Sequence, residues 1–364
     1  MNHEECRHAS QLAFAASGQE LCFGALPEGL TAFQLANTTG AEPYVVEELK
    51  GGLTAKIFRI RAAGRDWTLK QARAACLVQN VDGQTSFLNE VQRRIELSGL
   101  KQKAMAASQP LLTSVIETQF ASYRHGIILS PWIEGSEVKV WDEPKLRQLF
   151  SAMRELVLAG FFEWDFCSGN ILDDGKIRLF DFGYMYRFDP LQDFNSNGRT
   201  APMFHAIERF ETRLFFAYLL QLEKRAGRDA ALQAYRLEKI IAVEAYQALY
   251  EDLRTRKAHA EVLAWVIGFI TQWEAAMQGD LDSLYVAEGW RSHRLDVDDD
   301  LRGQTCTPMT LERIDWLESA VTEKFAMLKK LNALFGADAS FTLTELERDL
   351  VEARTKAERW QIKK

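Results

Sequence analysis

The pattern of apolar and polar positions changes character along the chain. Between residues 44 and 133 it is strand-like: Tyr44-Val-Val-Glu, Lys56-Ile-Phe-Arg-Ile, Asp66-Trp-Thr-Leu-Lys and Gly126-Ile-Ile-Leu-Ser, with turn residues between most of the runs. This predicts a small sheet-containing unit. One helix interrupts it over 86–97, where Phe87, Val91 and Ile95 fall at helical spacing and Glu90 lies on a neighbouring face. After Gly135 the helical period takes over, at 145–159, 203–225, 229–255 and 259–277, so the larger unit is mainly helical. Within it, Ile171-Leu-Asp-Asp-Gly-Lys-Ile-Arg-Leu-Phe180 reads as two short strands joined by a tight turn.

The flanks are less regular. Residues 1–43 show no sustained period and read as an irregular cap. The Asp- and Gly-rich stretch 279–308 reads as a surface loop. Two helices are predicted after it. The first runs over about 309–335 and ends at Gly336; the second covers about 343–361 and opens on Thr344-Glu-Leu-Glu347, which fits a capping box. Leu343, Leu346, Leu350, Ala353, Ala357 and Trp360 keep three-four spacing, so this hairpin packs either on the body or on a protein partner. The domain division expected is 1–43, 44–134, 135–308 and 309–364.

With 364 residues, 47% of them hydrophobic, the chain is long enough for two or three packed units. Its net charge of −7 argues against a nucleic-acid or anionic-membrane surface as the main partner. The longest apolar runs, such as 262–270, are too short for a membrane span, and the N-terminus lacks the basic start of an export signal. Five scattered cysteines with no CxxC pair read as reduced thiols, so a cytoplasmic location is expected.

The chemistry concentrates in Phe162-Glu-Trp-Asp-Phe-Cys-Ser-Gly-Asn-Ile-Leu-Asp-Asp-Gly-Lys-Ile-Arg-Leu-Phe-Asp-Phe-Gly183. Asn170 precedes the predicted hairpin and Asp181 follows it, so one tight turn brings two oxygen donors together. Such a pair suits Mg²⁺, which keeps several waters and shares phosphate oxygens. Asp165 is then left to orient an attacking hydroxyl. Asp and Asn also favour turns and helix caps for their own sake, and that is the purely structural alternative.

The Asp-x4-Asn-Ile-Leu, hairpin and Asp-Phe-Gly series resembles the catalytic and metal-binding segments of the protein-kinase-like superfamily, which includes the aminoglycoside and choline phosphotransferases. The resemblance covers about residues 44–220. It implies an α+β, two-lobed fold with a small antiparallel-sheet lobe carrying one key helix, a mainly helical second lobe and a C-terminal helical extension. It further implies that Lys70, ending a strand, clamps nucleotide phosphates and is braced by the helical Glu90. Gly51 and Gly52, with Thr54 in Gly-Gly-Leu-Thr, stand either in a phosphate-approaching turn or in a plain hairpin turn. Ser130 to Trp132 resembles the segment that joins the lobes and meets an adenine ring, with Trp132 equally suited to packing between lobes.

The chain departs from the pattern at Glu163 and Trp164, where protein kinases usually show His and Arg and the phosphotransferases His and Gly. Control through a phosphorylated activation loop is therefore less expected. Glu163 either bonds the catalytic turn or stands exposed. Arg187 and Arg209 are candidates for an anionic substrate, with an intrahelical Glu-Arg pair the plainer role for Arg209, and His205 reads as structural. The resemblance implies an ATP-dependent phosphotransferase using Mg²⁺ or Mn²⁺ to move a γ-phosphoryl group to a hydroxyl, more readily that of a small molecule. An atypical Ser/Thr protein kinase and an inactive scaffold recruiting a partner through the C-terminal helices are the alternatives.

Overall fold

A computed structural model describes residues 2–49 and 52–362. The chain is α+β, 55% helical, with a small antiparallel sheet and a helical C-terminal region. Among the described residues no helix is long and apolar enough to cross a membrane, and the five cysteines are unpaired.

The N-terminal segment is ordered rather than irregular. Helix α1 (His3–Ala16) starts in a capping box of Asn2 and Glu5; strand β1 (Cys22–Gly24) and the short α2 (Ala32–Ala36) come next. Their apolar positions are too few to show a period in sequence, because α1 is held largely by polar contacts to the helix over Val81–Ala106, while β1 and α2 lean on the sheet. Strands β2 (Val45–Leu49), β3 (Ala55–Ala62) and β4 (Arg65–Ala72) precede the long α3 (Val81–Ala106), and β5 (Phe120–Ser122) and β6 (Ile127–Pro131) complete the sheet. Its order is β1-β5-β6-β4-β3-β2, with every neighbouring pair antiparallel.

Alternation along these strands positions the chemistry. Trp67 and Leu69 of β4 and Ile127 and Leu129 of β6 pack with Phe58, Ile60 and Leu35 on one face. By the two-residue period, Lys70 of β4 and Ile128 and Ser130 of β6 turn to the opposite face. There Val91 of α3 packs on Ile128 and Ala121.

The chain then runs through β7 (Ser136–Glu137), α4 (Glu143–Leu158), β8 (Phe161–Glu163), β9 (Ile171–Asp173), β10 (Ile177–Leu179) and β11 (Met185–Arg187). Strands β9 and β10 form the expected hairpin, with Gly175 at φ 94° in its turn. Next come α5 (Ala206–Phe210), one π-helical turn over Glu211–Phe215, α6 (Phe216–Ala226), α7 (Arg228–Thr255) and α8 (Ala260–Gln278). The stretch read as a surface loop is instead helix α9 (Leu281–Gly303), much of it buried. Its acidic run Asp296–Asp300 gave the loop-like reading, yet those carboxylates are matched by Arg213, Arg294, Arg302 and Arg313. Arg294 and Arg302 lie on the same helix, whereas Arg213 and Arg313 reach Asp296 from other elements, and pairing of that kind leaves no trace in local periodicity.

Helices α10 (Pro308–Lys330) and α11 (Leu343–Arg359) close the molecule. The capping box of α11 joins Thr342 and Glu345, two residues before the expected one. Leu346, Leu350, Ala353 and Ala357 are buried in the main core, so this face packs on the body. Leu350→Ala should therefore lower stability in chemical denaturation by about 2–5 kcal/mol. Val351→Ala, on the exposed side of the same helix, should stay within about 0.5 kcal/mol.

Candidate active site

Strand β4 delivers Lys70 to the α3 side of the sheet, where its ammonium has no water to rely on. Lys70 is 7% exposed. Its Nζ donates to Glu90 Oε2 at 2.5 Å and meets Asp181 Oδ2 at 2.6 Å. Glu90, buried on α3, accepts with its other oxygen from Arg94 one turn on, at 2.9 Å, and Arg94 continues to Ser130 Oγ at 3.2 Å. Burial works against the Lys70 charge, but the Asp181 and Glu90 carboxylates prevail and hold its pKa above the ordinary value. Burial likewise pushes the Asp181 carboxyl up, and the Lys70 ammonium outweighs this to hold it below the usual Asp value.

Asp181 sits at φ 65°, a left-handed conformation unusual for any residue but glycine, though Asp tolerates it better than most. The segment after it is tied to α3. Asn89 Nδ2 donates to the carbonyls of Phe182, Gly183 and Met185 at 3.3, 2.9 and 2.7 Å. One side chain of α3 thus fixes the backbone just past Asp181 while its neighbour Glu90 fixes the lysine.

The β8 exit carries Asp165. Its backbone N–H donates to Glu163 Oε1 at 2.8 Å, so Glu163 braces the turn and is buried. Asn170 Nδ2 donates to the Asp165 carbonyl at 3.0 Å and to Asp165 Oδ2 at 3.3 Å. The opposite oxygen, Oδ1, accepts from Arg213 Nε at 2.9 Å. Glu163, Asp165, Asn170 and Asp181 line one small cavity, so the two clusters meet. Burial, reinforced by the charges of Asp165 and Asp181, pushes the Glu163 carboxyl well above the ordinary Glu value.

The remaining predicted residues lie elsewhere or are engaged otherwise. Gly51 falls outside the described residues. At Gly52 a Cβ would stand 2.1 Å from the Ala55 carbonyl oxygen, so the glycine is required by its own turn, and Thr54 gives its carbonyl to the Arg73 N–H at 3.2 Å. Ser130 is buried on Arg94. Trp132 spends its backbone N–H on the Asp66 carbonyl at 3.2 Å, and the Arg59 guanidinium covers its ring 4.6 Å from the centroid. The Trp132 ring is thus packed by Arg59, and neither its engaged N–H nor Pro131, which has none, is free to donate a backbone hydrogen bond. Arg187 caps the Ala159 carbonyl. Arg209 pairs with Glu208 but also donates to the Trp164 carbonyl at 3.0 Å, supporting the Asp165 turn from outside. His205 is buried, caps α5 and meets Tyr246.

Three residues of the site escaped the sequence reading. Arg94 carried a signal, its i,i+4 spacing from Glu90. Asn89 and Arg213 carried none, since both act on segments about 50 to 100 residues distant.

No protein-family model matches the chain, and no curated protein is significantly similar to it.

The buried Glu163 gives a pH test. Its folded pKa lies well above 4.5, so the folded state holds a proton that the unfolded chain releases, and the group's contribution to stability is lost as pH rises. Wild type should lose stability relative to Glu163→Gln as pH rises above about 4.5, by at most about 1.4 kcal/mol per pH unit. Parallel denaturation curves for the two proteins from pH 4.5 to 8 measure the gap.

Proposed function

We propose that the chain is an ATP-dependent phosphotransferase of two-lobed, protein-kinase-like architecture, acting on a hydroxyl acceptor, with a small molecule the favoured class. The observation that carries this reading is Lys70 held at once by Glu90 and by Asp181, beside a cavity that Asp165 and Asn170 also line. Purely structural turn residues have no need to gather around a buried, charged lysine.

In this reading Lys70, oriented by Glu90, binds the nucleotide phosphates, and Asp165 orients the acceptor hydroxyl. A bond forms between the acceptor oxygen and the γ-phosphorus while the bond to the β–γ bridging oxygen breaks. The hydroxyl proton passes to Asp165 and ADP leaves. Positioning and electrostatics carry most of such a reaction.

The donor chemistry fits a hard divalent cation. Asp181 offers a carboxylate, and Asn170, whose amide nitrogen is turned to Asp165, offers its oxygen. Mg²⁺ or Mn²⁺ at these two residues would supply positive charge to the phosphate oxygens. The intact set of Lys70, Glu90, Asp165, Asn170 and Asp181 weighs against an inactive scaffold.

Thermal melting with ATP and Mg²⁺ tests the reading. Nucleotide at 100 times its Kd should stabilise wild type by about 2.7 kcal/mol, and Asp181→Ala should lose that shift. Asp165→Ala should keep most of the shift while turnover of labelled ATP falls by about 10²- to 10⁴-fold. No shift at millimolar nucleotide, or wild-type turnover in both variants, would sink the assignment. Label appearing in protein instead of polar metabolites would move the acceptor class.

A further inference from the structure

The stretch from Gly160 to Gly175 that carries Asp165 contains four carboxylates and no Lys or Arg. The cation bonded to Asp165 comes from 48 residues downstream. Arg213 belongs to the single π-helical turn of the chain's described part, and π turns recur at functional sites. Its Nε donates to Asp165 Oδ1 and its Nη1 to Asp296 Oδ1 of α9. Asp296 Oδ2 in turn lies 3.0 Å from Arg313 Nε of α10, and Arg313 donates from Nη2 to the Thr212 carbonyl at 2.9 Å. Arg313 is almost wholly buried, whereas the side chains of Asp165 and Arg213 remain about one-fifth exposed. The result is a row of alternating charges, Asp165, Arg213, Asp296 and Arg313, anchored in the core at one end and open at the other.

We infer that Arg213 is the positioning residue of the phosphotransfer centre: through Asp296 and Arg313 it fixes the rotamer of Asp165, which makes α9 and α10 a working part of the centre. The inference rests on the phosphotransferase reading. A plain structural ion pair would have no reason to take one oxygen of Asp165 while Asn170 takes the other and Glu163 holds the backbone N–H. Together these leave the carboxylate a single orientation. The guanidinium is suited to the task because its planar fork spans two carboxylates, which an ammonium cannot do with fixed geometry.

Hydrolysis of Mg·ATP with water as acceptor reads this out without knowledge of the natural acceptor. Arg213→Ala should lower kcat about a hundredfold, the cost of a misplaced reacting group, with KM for ATP and the nucleotide melting shift little changed. Millimolar guanidinium should restore at least tenfold of the loss, and methylammonium should not; a role in folding alone would show neither the split nor the selective rescue. Asp296→Asn, which keeps the side chain's size, should lower kcat about tenfold and be insensitive to guanidinium. If wild type hydrolyses ATP and Arg213→Ala is equally active or faster, Arg213 is not a positioning residue and the inference falls alone. If wild type does not turn ATP over while folded, the phosphotransferase reading falls and takes the inference with it.

Discussion

A lysine ammonium placed on the covered face of a sheet must find counter-charge, and most of the structure around the cavity depends on where it finds it. Burying an unpaired charge costs far more than a domain's margin of stability. Lys70 is matched by Glu90 from α3 and by Asp181 from beyond the β9–β10 hairpin, and Arg94 pairs with the other oxygen of Glu90. Two cations thus face two carboxylates from three separate parts of the chain. None of these parts can shift alone without stranding a charge, so sheet, α3 and hairpin exit behave as one unit at this point. Asn89 enforces the same coupling through neutral hydrogen bonds.

How much could be read from the residues depends on the range of the forces involved. Strands β3, β4 and β6, helix α3 and the hairpin announce themselves by local period, because each buries one face and exposes the other. Asp165, Asn170 and Asp181 are close in sequence, and Lys70 and Glu90 stand on elements whose type the period reveals. Apart from the capping box of α11, which is shifted locally by two residues, the differences involve partners far along the chain. The acidic end of α9 reads as a loop although Arg294 and Arg302 of the same helix pair with Asp298 and Asp299, because the arginines that hold Asp296 lie in the π turn and on α10. The N-terminal helix was missed because its stabilising neighbours are polar and remote: Gln11 donates to Asn89 at 3.2 Å, and His8 lies 2.8 Å from Asp82. The surroundings of Trp132 are likewise set by a distant residue, Arg59, whose guanidinium covers its ring.

The helices beyond residue 280 do more than extend the molecule. Helix α9 packs between α10 and the π turn, and it brings Glu288 to Lys239, Tyr235 and Trp273 in the core. Lys239 is entirely buried, with Glu211 as a second partner and Arg291 on the far oxygen of Glu211. Removing either side of such a group leaves a bare charge in an apolar interior, which is costlier than never having built it.

The π turn therefore has two faces with different duties. Glu211 points into that sealed cluster, and Arg213, two residues on, reaches Asp165. A π turn is an α-helix with one residue too many. Losing one residue between 211 and 215 would restore the ordinary helical repeat and change the angular offset between Glu211 and Arg213 that the bulge sets. Length here is thus a constraint in its own right: beside the identities of Glu211 and Arg213, the number of residues in this short segment decides which way each of the two side chains faces.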